Sequence, residues 1–170
     1  MKRPFKKRKL IISLLTIALP ILSTVAIYFG LGLALATERP LVAVVGQSMS
    51  PALEHGDLVI VRGGPSGNIQ VGDIIVFDAP QGVRTIHRVT RIQTIPNGTI
   101  QFRTKGDAVD DEDRDWISEQ FVHGHVVHRM PYLGYLMLDP TIPIAIAIII
   151  AIIILIWPER KGRFRRHKRI

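Results

Sequence analysis

Two long apolar runs frame the chain, and short apolar runs divided by turn residues fill the space between them. The first, Leu10 to Ala36, holds 27 residues without a charge. At ~1.5 Å per residue such a helix exceeds the ~30 Å hydrocarbon layer of a bilayer, so the pattern predicts a membrane span. Ala34-Leu35-Ala36 at its end has the small-x-small form of a secretory cleavage site. The apolar core is nevertheless longer than that of a cleavable leader, so a retained anchor is expected. The second run, Ile142 to Trp157, is 16 residues of nearly pure Ile and Ala. It is apolar on every face, which predicts a second, short span with Thr141 and Pro158 at the interfaces.

Between the runs no 3.6-residue apolar period is sustained, and the segment reads as β-strands. Leu41–Val45 stops at Gly46, Leu58–Val61 at Gly63-Gly64-Pro65, and Ile74–Phe77 at Asp78-Ala79-Pro80. Each is the short continuous apolar run of a buried strand. Arg84 to Ile95 alternates more loosely, Pro96-Asn97-Gly98 marks a hairpin turn into Thr99–Thr104, and Val122 to Arg129 supplies a last strand. The expected fold is therefore mainly β: one β domain, 37–140, between two transmembrane helices, 10–36 and 141–158, with tails 1–9 and 159–170.

Charge orients this arrangement. The net charge is +8, yet 13 of the 22 basic residues lie in the two tails, and the stretch from Leu10 to Pro158 carries 9 basic against 13 acidic residues. Positive charge on the outer flank of each span places both termini in the cytoplasm and the β domain across the membrane. Lipid headgroups and topology account for the tails, so no nucleic-acid partner is expected. With no cysteine in the chain, disulfides and thiolate metal sites are excluded, and a nucleophile must be oxygen or nitrogen.

Ser48 follows Gly46-Gln47 at the end of a buried strand, where the backbone turns and presents a hydroxyl. Such a hydroxyl is a weak nucleophile until a base takes its proton. Lys105 is the only lysine between the spans, whereas histidine occurs at positions 55, 87, 123, 125 and 128. His87, in Thr85-Ile86-His87-Arg88-Val89, has the apolar neighbours that would keep an imidazole neutral. A histidine base needs its other nitrogen held by an acceptor, and Asp107 and Asp113 are candidates within a stretch of six carboxylates in nine residues. That stretch lacks the central glycine and alternating ligands of a calcium loop, and no metal or organic cofactor is expected.

Four blocks in order resemble the type I signal peptidases, in the archaeal and endoplasmic-reticulum branch, also found in some Gram-positive bacteria, that uses histidine in place of lysine. They are Gly46-Gln47-Ser48-Met49-Ser50-Pro51 with Gly56-Asp57; Gly72 to Phe77; Ile86-His87-Arg88-Val89; and Thr104-Lys105-Gly106-Asp107 through Asp113-Arg114. Tyr132-Leu133-Gly134 also fits, and Ala108-Val109 stands where the family usually has two asparagines. The resemblance implies a membrane-bound serine endopeptidase that cleaves signal peptides from secretory preproteins at the outer membrane face. Ser48 would be the nucleophile, His87 the general base, and an aspartate of the last block its orienting partner, Asp113 before Asp107.

On that reading the substrate binds as an added strand beside Val42–Val45 or Ile74–Phe77, touching Val44, Gln47, Met49, Ile75 and Phe77. The expected partners are secretory preproteins and the lipid bilayer, with additional subunits left open. Two other readings share the sequence: a non-catalytic membrane-anchored interaction module, and a self-processing protease or dedicated processor of a few exported matrix or pilus-type substrates.

Overall fold

The computed structural model describes residues 4–156; Lys2, Arg3, Trp157 and the basic cluster at 160–169 lie outside them. The order of elements is α1 (Pro4–Ala34), β1 (Leu41–Ala43), β2 (Leu58–Arg62), β3 (Ile74–Asp78), β4 (Arg84–Thr94), β5 (Ile100–Lys105), β6 (Ile117–Ser118), β7 (Val122–Met130), α2 (Tyr135–Leu138) and α3 (Thr141–Ile156). Among the described residues, Leu14–Ala34 is the one helical stretch long and apolar enough to cross a membrane, and none of it is buried against the protein. Ser23 and Thr24 hydroxyls donate to the Pro20 carbonyl within it. The α3 helix, 16 residues long, falls short of that length.

The strands form one antiparallel sheet in the order β1-β2-β7-β3-β4-β5-β6. β3 explains much of its architecture. Strand side chains alternate between faces, so Ile75 and Phe77 enter a cluster with Ile69, Val89, Phe102 and Ile117, while Val76 enters another with Val44, Met49, Leu53, Val59 and Val61. A strand covered on both faces has no polar position to spare, which is why Ile74–Phe77 is continuously apolar. Phe77 and Phe102 are 2% and 0% exposed; each contributes roughly 1.5–3 kcal/mol of burial.

The same pairing corrects one expectation. β3 is bonded to β4 on one side and β7 on the other, so it is a central strand and offers no edge to a substrate. β1 is an edge strand, pairing with β2 alone, as is β6 at the opposite end, pairing with β5. A further open edge lies inside β4. Its residues Arg84–Arg88 pair with β3, but β5 pairs only from Arg88 onward, so Arg84 to His87 have no strand on their other side. Successive antiparallel pairings give β1 and β4 the same direction, both running toward the loop that carries Ser48.

Candidate active site

The Ser48 loop is shaped by what anchors its two flanks. Val44 donates its N–H to the Asp57 carbonyl (2.8 Å) and accepts from the Gly56 N–H (3.0 Å), which prolongs the β1–β2 pairing to the brink of the turn. Gly46 then adopts φ 94°, a left-handed conformation that glycine takes without a Cβ penalty. Its N–H donates to His55 Nδ1 at 3.2 Å. Beyond Ser48, Met49 and Leu53 are each 2% exposed and fix the loop in the core. The hydroxyl is thus held between a strand end and two buried side chains.

A charged hub fastens the same loop to the end of the domain. Asp57, 1% exposed, accepts from the Glu54 N–H (2.8 Å) and the Tyr132 N–H (3.2 Å), and pairs with Arg129. That pairing is a charge-to-charge approach and not a hydrogen bond along the Nε–H. Arg129 Nη1 also donates to the Ala52 carbonyl at 2.9 Å. The Tyr135 ring lies edge-on to His55, 5.6 Å between centroids, and fills the space where Gly56 lacks a side chain.

His87 reaches Ser48 from β4. Its Nε2 lies 3.2 Å from Ser48 Oγ and its Nδ1 lies 2.6 Å from Asp113 Oδ2. An ionised carboxylate only accepts hydrogen bonds. Nδ1 therefore donates to Asp113, and Nε2 keeps its lone pair toward the hydroxyl. Asp113 is itself located twice over: its N–H donates to the Thr104 carbonyl (2.8 Å), and the Thr104 hydroxyl donates to Oδ2 (2.6 Å). Phe77 covers His87 edge-on at 6.3 Å.

Asp107 goes elsewhere. Adjacent strand residues face opposite ways, and Asp107 meets Arg88, the neighbour of His87. Arg88 Nε and Nη2 donate to its two oxygens at 2.9 and 2.6 Å, and Nη1 donates to the Gly72 carbonyl at 2.7 Å. The hydrogen bond to Asp107, opposed by burial and aided by its charge, raises the Arg88 pKa above the ordinary value. Asp107 thus acts on the loop between β5 and β6, which is also hooked to the Ser48 loop by Ala108 N–H donating to the Ser48 carbonyl (2.8 Å).

The two open edges, Val42–Gly46 and Val83–Ile86, face each other across a cleft of about 430 Å³ with Ser48 and Met49 on its wall. Of the residues expected to touch substrate, Val44 and Met49 line this cleft and Gln47 is exposed beside Ser48. Phe77 lines a separate hollow of about 280 Å³ on the His87–Asp113 side. Ile75 is 0% exposed and lines neither, a correction that follows from its inward position on a central strand. Sequence reasoning missed Thr104, Gly106 and the Arg84–Ile86 wall. Thr104 left a signal: it alternates with Phe102 on the inward face of β5, where a lone hydroxyl needs a partner.

Residues 24–127 match the family described as Peptidase S24-like. The signal peptidase complex catalytic subunit SEC11C of Canis lupus familiaris is 34% identical over 140 residues, covering 78% of this chain and 73% of that protein. The human protein of that name is 33% identical over the same length and coverage. The SEC11 catalytic subunit of Schizophyllum commune is 34% identical over 152 residues, 75% of this chain and 78% of its own. A histidine within reach of the loop serine, in a chain matched to these subunits across most of its length, leads to one conclusion: the protein belongs to the S24-like serine peptidases, in their signal peptidase branch.

Proposed function

We propose that this chain is a membrane-anchored endopeptidase that removes N-terminal signal peptides from exported precursors at the outer membrane face. Ser48 is the nucleophile, His87 the base and then the acid, and Asp113 the group that orients His87. The observation that carries this reading is the continuous hydrogen-bond chain Ser48–His87–Asp113. As Oγ attacks the scissile carbonyl, Nε2 takes its proton, and the Asp113 charge stabilises the imidazolium. His87 returns the proton to the leaving amine, and a water repeats the sequence to release the acyl group. The Ser48 N–H makes no hydrogen bond within the described residues and is free to donate to the developing oxyanion, worth roughly 3 kcal/mol.

The substrate enters as a strand. A precursor segment laid between β1 and Arg84–His87 would find backbone partners on both sides, a form of β-augmentation. Val42, Val44, Met49 and Ile86 give it small apolar pockets. In this arrangement α1 and α3 both cross the bilayer, the 37–140 domain faces outward, and the basic tails stay in the cytoplasm. Ser48 lies 12 residues past Ala36, within about 40 Å of the membrane at ~3.3 Å per extended residue. The relatives are named as catalytic subunits of a complex, which favours further subunits here.

Detergent-solubilised wild type should cleave a secretory precursor, and Ser48→Ala and His87→Ala should each lower kcat by about 10³–10⁶-fold. Either variant cutting at the wild-type rate overturns the assignment.

A further inference from the structure

The end of α1 carries a sequence pattern that the active site does not use. Ala34 and Ala36 stand at the third and first positions before the Ala36–Thr37 bond, behind a long apolar helix and a basic N-terminal stretch. That is the small-x-small arrangement cut in exported precursors. Under the proposed activity, on which this inference rests, every copy of the enzyme presents a candidate bond to its neighbours.

The fold holds that bond in a shape the cleft does not accept. Ala36 N–H donates to the Leu33 carbonyl (3.3 Å) and Thr37 N–H to the Gly32 carbonyl (3.0 Å). These are the paired three- and five-residue bonds of a Schellman cap. Ala36 occupies the left-handed position of the cap, φ 50°, where glycine is usual. The Leu35 carbonyl accepts from the Gly63 N–H (2.8 Å), and the Thr37 hydroxyl donates to the His123 carbonyl of β7 (3.1 Å). The Ala36 carbonyl, the atom a peptidase would attack, rests on Gly63 so closely that a methyl there would collide with it. Ala36 itself is exposed, so what withholds the bond is its conformation together with the packing of its carbonyl on Gly63. Binding as an added strand requires extended backbone up to the scissile residue, and a left-handed residue in a closed cap is the opposite. The chain's own Ser48 is excluded too, because β1 is paired along β2 between Thr37 and Ser48, and Pro40 is tied to Val61 (2.9 Å).

We infer that the Ala36–Thr37 bond is a latent cleavage site for a second copy of this enzyme, kept intact by closure of the α1 cap on Gly63 and β7. Once the cap opens, Ser48 Oγ of another copy adds to the Ala36 carbonyl. The Ala36–Thr37 C–N bond breaks, the Thr37 nitrogen leaves as an amine with the proton carried by His87, and water hydrolyses the ester to free the Ala36 carboxylate. The products are the anchor, 1–36, and a domain, 37–170, that has lost its first helix.

The test mixes active wild type in detergent with full-length target chains silenced by Ser48→Ala, followed by intact-mass measurement. One target keeps the cap, a second adds Gly63→Ala, and a third adds Thr37→Val; a small-x-small secretory precursor shares the tube. The capped target should stay whole, and the two loosened targets should be cut at Ala36–Thr37 alone, about tenfold faster or more. Adding Ala36→Gly to the Thr37→Val target, which relieves the left-handed strain while keeping a small residue, should restore protection. Loosened targets that stay whole while the precursor is cut would overturn the inference and leave the peptidase reading standing, with helix length as the guard. A capped target cut as fast as the loosened ones, or loosened targets cut at many bonds as an unfolded chain would be, also overturns it. If the precursor itself is untouched, the peptidase reading fails and takes this inference with it.

Discussion

Gly106→Ala is the most informative single change, because it adds one methyl beside two of the proposed catalytic groups and removes nothing. A Cβ at Gly106 would stand 2.7 Å from the Ser48 carbonyl oxygen, 3.2 Å from His87 Nε2 and 3.2 Å from Ser48 Cβ. Gly106 does not have a left-handed φ, so alanine fits the backbone and the effect is one of crowding. The backbone contact is too short to survive, and the Ser48 carbonyl, which also accepts from the Ala108 N–H, must yield by a few tenths of an ångström. The Ser48–His87 hydrogen bond, at 3.2 Å, has little slack. Since a misplacement of ~1 Å costs about 100-fold, kcat should fall about 10- to 100-fold, with roughly 1–3 kcal/mol of overpacking in stability. Gly106 does not line the cleft proposed to hold substrate, so KM should change little. Steady-state cleavage of a precursor peptide reads the first effect and thermal melting the second, with Gly67→Ala, where a Cβ meets nothing within 4 Å, as the neutral control. A Gly106→Ala enzyme with wild-type kcat would refute the reasoning that Gly106 is the floor on which nucleophile and base rest.

Asp113→Asn should lower kcat by about 10⁴-fold, as loss of the orienting carboxylate does in comparable triads, whereas Asp107→Asn, which frees Arg88, should cost far less in kcat and be visible mainly in melting temperature. A kcat ranking with Asp107→Asn the worse would reverse the assignment of the two. Thr104→Val keeps the shape and removes one of the two donors on Asp113 Oδ2, so kcat should drop about tenfold with KM unchanged, as steady-state kinetics can check. Burial works to raise the Asp78 pKa, but the His123 hydrogen bond and charge and the Arg84 contacts outweigh it and hold it below 3.8. Its folded pKa is depressed, so its contribution is present above about pH 4 and lost as pH falls through that lower value. The melting-temperature gap between wild type and Asp78→Asn should therefore close in strong acid, and a gap that widens there would contradict the sign.

How much of this was legible in the sequence depended on whether the deciding contact was local. Ser48 and His87 could be named because each sits in a short signature at a strand end or on a strand. Asp113 could be ranked ahead of Asp107 only by the resemblance, the two being six residues apart in one acidic stretch; their different partners follow from the alternation of His87 and Arg88 on β4. Ile74–Phe77 was rightly read as a buried strand, yet its apolar run says nothing of who pairs with it. β7, some fifty residues later, occupies the edge that a substrate was expected to use. β1 was predicted to reach Val45 and ends at Ala43 because the chain begins its turn toward Gly46 there. β6, two residues long, carries too little pattern to be seen.

The Asp57 hub sets a timetable for the enzyme. The loop that presents the hydroxyl is fastened by Arg129, Tyr132 and Tyr135, which leave the ribosome only after the whole sheet has been synthesised. A nascent chain whose β1–β2 hairpin has already formed still lacks those fastenings, so hydrolytic competence arrives last, when nearly the entire domain is in place.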